Sequence, residues 1–313
     1  MMTSRERFLA VFSGRMPDRV PVTLFIQDQG HFLEQMRPEA DPHDHLARQL
    51  DVIEIQKELG VDVFVRMLFG LNDPLGVHCG GLNVAVQTDD WQVRKEKHRN
   101  GSTTVIRSTI TTPDGMLTQD FSIHRQRAAT FMYGCTKYPI QTAGDLDLAI
   151  RYEPPFLTPG KAAMIKDRVR VVKDAVGDDG IVGSWTPHGP FNNASLLMEH
   201  EQLYSLFLSD EDFYERLMTF AMERILDYTR AIDHAGVDVH CVGGNVPGGF
   251  LGRRCYDEFV LPFEKRYIEF VQANGTPAMY HNCGEIMQLV ESYKELGARI
   301  IEPFSPPPLG DAD

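Results

Sequence analysis

The clearest candidates for chemistry are His281 and Cys283, at the end of a short apolar run, residues 277–283. If that run is a β-strand, residues two apart share a face, so an imidazole nitrogen and a thiolate sulfur would face one point. Zinc favours both ligands and keeps the thiolate deprotonated. A catalytic zinc needs about three protein ligands and an open position. The alternative, a buried cysteine beside a hydrogen-bonded histidine, stays open at this point.

Further polar residues follow predicted strands. Glu302 is a candidate catalytic residue, with a metal ligand or a site wall as alternatives. His188, in a Pro/Gly turn, is a second catalytic candidate that would orient substrate, unless it is a loop residue without a role. Asp28 and Arg66 are candidate substrate-binding charges, and surface salt bridges are the alternative. Asn245 is a candidate substrate ligand in a glycine-rich run that suits either an anion cradle or plain turns.

Alternating strands and helices must position these residues. Short apolar runs predict six strands, at residues 21–27, 61–67, 180–185, 237–242, 277–283 and 299–303. Helical patterns are found at residues 41–59, 161–176, 193–208, 211–235, 256–273 and 286–296. This order predicts a parallel sheet with helices outside, as a (β/α)8 barrel or a doubly wound sheet. In both folds ligands bind at the carboxyl ends of the strands, where the candidate residues lie.

One region departs from this alternation. Residues 75–127 are rich in Thr, Val and Gly, and they contain Asn100-Gly101 and Asp114-Gly115, which favour tight hairpin turns. We predict an antiparallel insert after the second strand. Its expected strands are residues 82–88, 103–110 and 116–122.

Composition narrows the classes of function. The chain has 313 residues and a net charge of −13, so its acidity argues against a nucleic-acid partner. No stretch approaches the roughly 20 apolar residues that span a bilayer, and the charged N-terminus does not resemble a signal peptide. Five widely spread cysteines suggest reduced thiols. We therefore expect a cytoplasmic protein without membrane contact.

Several segments together resemble the uroporphyrinogen decarboxylase superfamily. They are Arg5-Glu6-Arg7-Phe8-Leu9, Asp18-Arg19-Val20-Pro21-Val22, Glu258-Phe259-Val260-Leu261-Pro262, His281-Asn282-Cys283-Gly284 and Leu296-Gly297-Ala298. The likeness covers nearly the whole chain and implies a single (β/α)8 barrel domain over residues 1–313. One branch of the superfamily decarboxylates uroporphyrinogen without a cofactor. Another contains zinc-dependent methyltransferases that work with corrinoid proteins.

The chain departs from the decarboxylase branch. That branch has an Arg-rich segment after its first strand, whereas residues 27–34 hold no arginine and two acids. That branch uses an Asp after its second strand, which is not found in residues 66–70. It also uses a Tyr after its third strand, and the matching region here, Ser195, Leu196 and Leu197, holds no tyrosine. By contrast, His281 and Cys283 match the His-x-Cys zinc motif of the methyltransferase branch.

The resemblance therefore implies zinc-assisted methyl transfer between a small substrate and a corrinoid protein. The small molecule would be a methylated donor or a thiol acceptor, and the direction stays open. A cofactor-independent decarboxylase of the uroporphyrinogen type is one alternative, and a non-catalytic ligand-binding barrel is another. The branch's third zinc ligand is a distant cysteine near the last strand, but no cysteine follows Cys283.

The strand count bears on the length of the chain. Six predicted core strands fall two short of a (β/α)8 barrel, and residues 309–313 resemble a helix N-cap with no helix behind it. We therefore expect a C-terminal truncation that removes two βα units and the missing cysteine ligand.

Overall fold

A computed structural model of the protein describes residues 1–28, 30–69, 73, 75, 81–126, 131–246 and 248–313. Its strands are β1 (Val63–Met67), β2 (Gln92–Asn100), β3 (Thr103–Thr112), β4 (Gly115–Arg125), β5 (Phe131–Lys137), β6 (Gly180–Trp185), β7 (Val239–Gly243), β8 (Ala278–His281) and β9 (Ile300–Glu302). Its α-helices are α1 (Ser4–Phe12), α2 (His31–Met36), α3 (His45–Glu58), α4 (Ala143–Tyr152), α5 (Pro159–Val176), α6 (Pro190–Leu197), α7 (His200–Ser209), α8 (Glu211–His234), α9 (Gly248–Cys255), α10 (Leu261–Val271) and α11 (Val290–Leu296).

The main sheet is parallel and has the strand order β1-β6-β7-β8-β9. Strand β7 is buried along its whole length, and β6 is buried except at its last residue. Continuous apolar strands of this kind suit a parallel sheet that is buried on both of its faces. The α/β prediction is confirmed.

Helix α8 illustrates how the helices cover the sheet. Its apolar residues recur at helical spacing, and Leu217, Ile225 and Ile232 are almost completely buried. Asp210 caps the helix by accepting a hydrogen bond from the Phe213 N–H at 3.1 Å. The predicted helix at 211–235 is confirmed to within one residue.

The main sheet is strongly curved. Arg66 on β1 and Glu302 on β9 lie on opposite edge strands, yet they form a bidentate ion pair with N–O distances of 2.7 and 2.8 Å. Four strand spacings would separate these edges by roughly 19 Å in a flat sheet, which is too far for this contact. The curvature therefore brings the edges together. Closure into a (β/α)8 barrel and a C-terminal truncation stay predictions.

The prediction of a strand at residues 21–27 is wrong. One main-chain hydrogen bond joins this segment to the start of β1, from Asp62 N to Val22 O at 2.7 Å. Side chains make the other bonds: the Asp62 carboxylate accepts from Val22 N, and Gln56 Nε2 donates to Leu24 O. Side chains therefore make the hydrogen bonds that the main chain of a neighbouring strand would make. For this reason the described part of the core sheet has five strands instead of six.

The antiparallel region is a four-stranded sheet in the order β2-β3-β4-β5. Its hairpins turn after Asn100 and before Gly115, as the sequence predicts. The predicted limits need correction, because the sheet begins at Gln92 and continues to Lys137.

Residues 82–88 form no strand apart from a single bridge between Thr88 and Trp91. The Trp91 side chain is buried and donates a hydrogen bond to Asn83 O, which holds this segment as a turn. Residues 76–80 and 127 of the predicted insert lie outside the described residues.

Two predicted helices are divided. Met198 has an extended backbone and closes α6 by bonding Ala194 O, so residues 193–208 belong to α6 and α7. Pro262 lies in the first turn of α10, which continues without a break in helical backbone from the preceding residues, and the kink at Pro262 stays a prediction. A π-helical segment, Tyr256–Val260, precedes α10. Within the described ranges, no helix is long and apolar enough to cross a membrane.

Candidate active site

Three polar side chains meet at the carboxyl edge of the main sheet. His281, the last residue of β8, faces Glu302 in the β8–β9 register. The His281 Nδ1 lies 2.9 Å from Glu302 Oε1, and the two carboxylate oxygens accept from the Arg66 guanidinium. One carboxylate therefore joins β1, β8 and β9.

The electrostatics favour an ionised Glu302. Burial would raise the pKa of its carboxyl group, but the hydrogen bond with His281 and the charge of Arg66 outweigh burial, and the pKa lies below its usual value. The Arg66 guanidinium lies over the Phe25 ring, 4.3 Å from its centroid. The stack and the ion pair fix Arg66 in one position.

Cys283 lies beyond the end of β8, so the strand pattern that predicts a shared face extends only to His281. The thiol is exposed. Between the two residues, Asn282 turns into the core, where it bonds both Val246 N and Val246 O. Nowhere in the described ranges do three His, Cys, Asp or Glu side chains cluster as metal ligands would.

His188 lies in the turn after β6. Its φ is +66°, which is uncommon for a residue other than glycine. Its Nδ1 is buried without a hydrogen-bond partner, and burial lowers the pKa of the ring to about 4. The imidazole is therefore neutral at physiological pH.

Asn245 lies in the turn after β7 and also has a positive φ, +52°. The neighbouring amides are used inside the protein: Gly244 N donates to His281 O, and Gly248 N donates to Glu285 O. These bonds favour plain turns over an anion cradle in the glycine-rich run. Asn245 itself is exposed.

A cavity of about 220 Å³ lies beside this cluster. Of the predicted site residues, it is lined by His188, Asn245 and His281. Its other described lining residues are Phe25, Gln27, Leu68, Phe69, Tyr133, Trp185, Thr186 and Pro187. Sequence reasoning missed its aromatic walls. The position of Trp185 at the end of a predicted strand could have indicated it as a site residue. Tyr133 comes from the antiparallel sheet, and no pattern in the sequence indicates that it lines the cavity.

The remaining predicted residues, Asp28 and Arg66, are not among the described lining residues of the cavity. Asp28 is buried against α3, with its Oδ2 3.5 Å from His45 Nδ1, and burial raises the pKa of its carboxyl group. A larger surface groove of about 690 Å³ lies along α8, away from the strand ends, where Arg224 is paired with Glu153.

Comparison with known proteins adds to this geometry. The family model for uroporphyrinogen decarboxylase (URO-D) matches residues 103–303. A solved structure of a "methyltransferase from Methanosarcina mazei" is similar with a TM-score of 0.61 and 16% sequence identity. The similarity covers 96% of this chain and 76% of that one, and at this identity it concerns the fold alone. No curated protein matches the sequence.

Proposed function

The chain belongs to the uroporphyrinogen decarboxylase family, and from this premise we propose that it transfers a methyl group between a small molecule and a corrinoid on a partner protein, with help from zinc. One observation carries the proposal: Glu302 binds Nδ1 of His281, which leaves Nε2 as the ring atom for a metal. Histidines that bind metals usually donate their other ring N–H to such an acceptor.

His281 and Cys283 are the residues that would hold zinc. An imidazole and an exposed thiol form a donor set that zinc prefers. A usual catalytic zinc site has about three protein ligands, and these two residues are one fewer. The proposal therefore requires a third ligand. When bound, zinc would lower the pKa of a thiol acceptor or polarise the leaving group of a methyl donor.

The chain's own residues would prepare the site. Glu302 has both oxygens engaged, so we assign it to orienting His281 instead of moving protons itself. Arg66 keeps that carboxylate ionised. His188 and Asn245 line the cavity and would contact the small substrate. This arrangement suits either direction of transfer.

Further parts of the proposal rest on the family resemblance. The corrinoid would be supplied by a partner protein in the cytoplasm. The curved sheet would be part of a (β/α)8 barrel, with the cavity at the carboxyl ends of its strands, where barrel enzymes bind substrates.

Metal content and methyl transfer test the proposal together. We expect the purified full chain to bind stoichiometric zinc by mass spectrometry. We also expect it to transfer a methyl group either from a small methylated donor to free Co(I) cobalamin or from methylcobalamin to a small thiol, followed by the absorbance of the cobalamin. His281→Ala and Cys283→Ser should each remove most of the zinc and the transfer. Cys135→Ser, which changes a thiol outside the cavity, is the control. A protein without zinc whose activity survives His281→Ala would contradict the mechanism.

The second candidate is decarboxylation of a porphyrinogen. Two observations disfavour it. A cavity of about 220 Å³ is small beside the roughly 300–1,000 Å³ of ordinary ligand pockets, and its described lining holds no arginine or lysine to bind a polycarboxylate. Metal-free turnover of uroporphyrinogen would reverse this choice. Binding of a corrinoid protein without turnover of either substrate would favour a non-catalytic barrel.

A further inference from the structure

We propose that the cavity binds a small cation with a methylated nitrogen, such as a quaternary ammonium compound. This binding does not rest on the proposed function, because a quaternary nitrogen has no lone pair for zinc and the cation would not be the zinc-activated methyl donor. Three features of the cavity support the inference: the arrangement of its aromatic walls, the lack of charge on its described lining, and its size.

The aromatic rings that line the cavity are tilted against one another instead of lying parallel. Phe25 and Trp185 have ring centroids 6.4 Å apart and are tilted by 49°, and Trp185 meets His281 at 5.5 Å and 77°. Phe69 and Tyr133 complete the aromatic lining. A parallel pair of rings would suit a flat aromatic ligand, whereas rings tilted toward one another suit a rounded group. A trimethylammonium head has that shape.

While His281 carries no zinc, the charges on the site favour a cation. The described lining contains no Asp, Glu, Lys or Arg, and His188 is neutral at physiological pH because of its burial. The faces of aromatic rings carry negative electrostatic potential and attract cations, most strongly in desolvated sites. Phe25 already binds Arg66 in this way on one face. In a chain of net charge −13, an anion would gain nothing comparable.

The volume limits the ligand. At about 220 Å³, the cavity is smaller than the pockets that hold drug-sized molecules, which start at about 300 Å³. A compact ammonium head with a short arm fits this limit.

The two tryptophans of the chain provide the measurement. Trp185 lines the cavity, whereas Trp91 is buried in the antiparallel region and hydrogen-bonded to Asn83 O. The full chain with Trp91→Phe therefore reports on the cavity through the fluorescence of Trp185. The probes are choline and 3,3-dimethyl-1-butanol, which has the same shape with carbon in place of the charged nitrogen. We expect choline to change the fluorescence saturably and to bind about tenfold more tightly than the neutral compound.

Variants locate the binding site. Trp185→Leu and Tyr133→Leu should each weaken choline binding several-fold by calorimetry, and Trp185→Phe should restore part of it if Trp185→Leu folds poorly. Phe250→Leu, at an exposed position outside the cavity, should leave binding unchanged.

Equal affinity for choline and the neutral compound would overturn the inference, as would no binding of choline. Tighter binding of guaiacol, a methoxylated aromatic, would overturn it in favour of a flat ligand. Since binding is measured without corrinoid on protein freed of zinc by a chelator, the two proposals fail separately. Choline binding without methyl transfer would refute only the proposed function, and zinc-dependent transfer without choline binding would refute only this inference.

Discussion

Glu302 is the residue on which the candidate site depends most. Both of its oxygens accept hydrogen bonds from Arg66, and Oε1 also bonds His281, so a single charge both neutralises a guanidinium and orients an imidazole. A carboxylate behind a histidine raises the basicity of the ring and fixes its orientation toward a metal. The functional role of His281 therefore cannot be separated from Glu302.

Replacing Glu302 tests this dependence. Glu302→Gln removes the charge that holds His281 and leaves Arg66 without its counter-ion. We expect zinc affinity to fall about 10- to 100-fold, the usual effect of losing such a partner, as measured by competition with a chromogenic chelator. Glu295→Gln, an exposed change on α11, is the control. Unchanged zinc affinity would separate Glu302 from the metal site.

The neutral state of His188 gives a second prediction at this scale. Its pKa of about 4 lies below the ordinary value of 6.5, because burial disfavours the charged ring. The unfolded chain therefore binds this proton more readily, and the folded state loses stability as pH falls from 6.5 to 4. We expect the NMR signal that disappears in His188→Asn to titrate near pH 4 in the wild type. A midpoint above pH 6 would contradict this.

Two variants of His188 test its backbone conformation. Asn tolerates a positive φ, so His188→Asn should fold normally, whereas His188→Val should lose about 1–3 kcal/mol in urea unfolding through strain. His43→Asn, at an exposed position, is the control for removing an imidazole.

At the scale of elements, α10 supports the turn that carries His188. Glu264 in the first turn of α10 is completely buried, and its Oε1 accepts a hydrogen bond from Phe191 N at the start of α6. Gly189 packs so closely on this carboxyl group that a Cβ there would collide with Oε2. A larger residue beside His188 would therefore displace this carboxyl group, and Glu264 anchors both the turn and the helix.

Glu264 should make stability depend on pH. Burial raises its pKa from 4.5 to about 8, so between these values the unfolded chain loses a proton that the folded protein retains. Stability consequently falls as pH rises through this window. Glu264→Gln is neutral throughout, and its unfolding free energy relative to wild type should grow between pH 5 and 8, by at most about 1.4 kcal/mol per pH unit.

Urea unfolding at pH 5, 6.5 and 8 measures the effect of Glu264→Gln. Glu258→Gln, an exposed change close by in the π-helical segment, is the matched control and should show no such trend. If the unfolding free energies of Glu264→Gln and wild type differ by the same amount at all three pH values, Glu264 is ionised in the folded protein.

At the scale of the whole molecule, an ion cluster ties the N-terminus to the amino end of the sheet. The buried carboxylate of Asp62 accepts from Arg7 at 2.7 Å and from Arg19 at 2.6 Å. Arg5 forms a bidentate pair with Asp238, just before β7. The opening segments that resemble the family are therefore the ones that hold α1 against the sheet, opposite the candidate site.

Asp62→Asn tests the contribution of this cluster. Burial would raise the pKa of Asp62, but its hydrogen bonds and the charge of Arg19 lower it from 3.8 to about 2. The stabilisation is therefore present above pH 3.8 and lost as pH falls toward 2. At pH 7 we expect Asp62→Asn to lose about 3 kcal/mol in urea unfolding, the lower end for a broken buried pair.

The loss of unfolding free energy caused by Asp62→Asn should become smaller as the pH falls toward 2, because protonation of Asp62 removes its charge from the wild type as well. Asp167→Asn, at an exposed position on α5, should change stability little. An equal loss at pH 7 and pH 2 would contradict the role of the charge.

The sequence by itself determined the features that depend on local pattern. Apolar periodicity identified α8, apolar runs identified the five strands of the main sheet, and Asn100-Gly101 and Asp114-Gly115 identified two hairpins. These signals are reliable because backbone geometry fixes them within a few residues. The strand ends also pointed to His188, Asn245 and His281, which do line one cavity.

Only the tertiary structure decided which distant residues meet. Arg66 and Glu302 are 236 positions apart, and sheet curvature brings them together. Tyr133 reaches the cavity from another sheet, whereas Asp28 turns toward α3. Residues 21–27 have the composition of a strand, but side chains of Asp62 and Gln56 take the bonds that a ladder would make. Local patterns specify how a segment can bond, and long-range packing selects its partners.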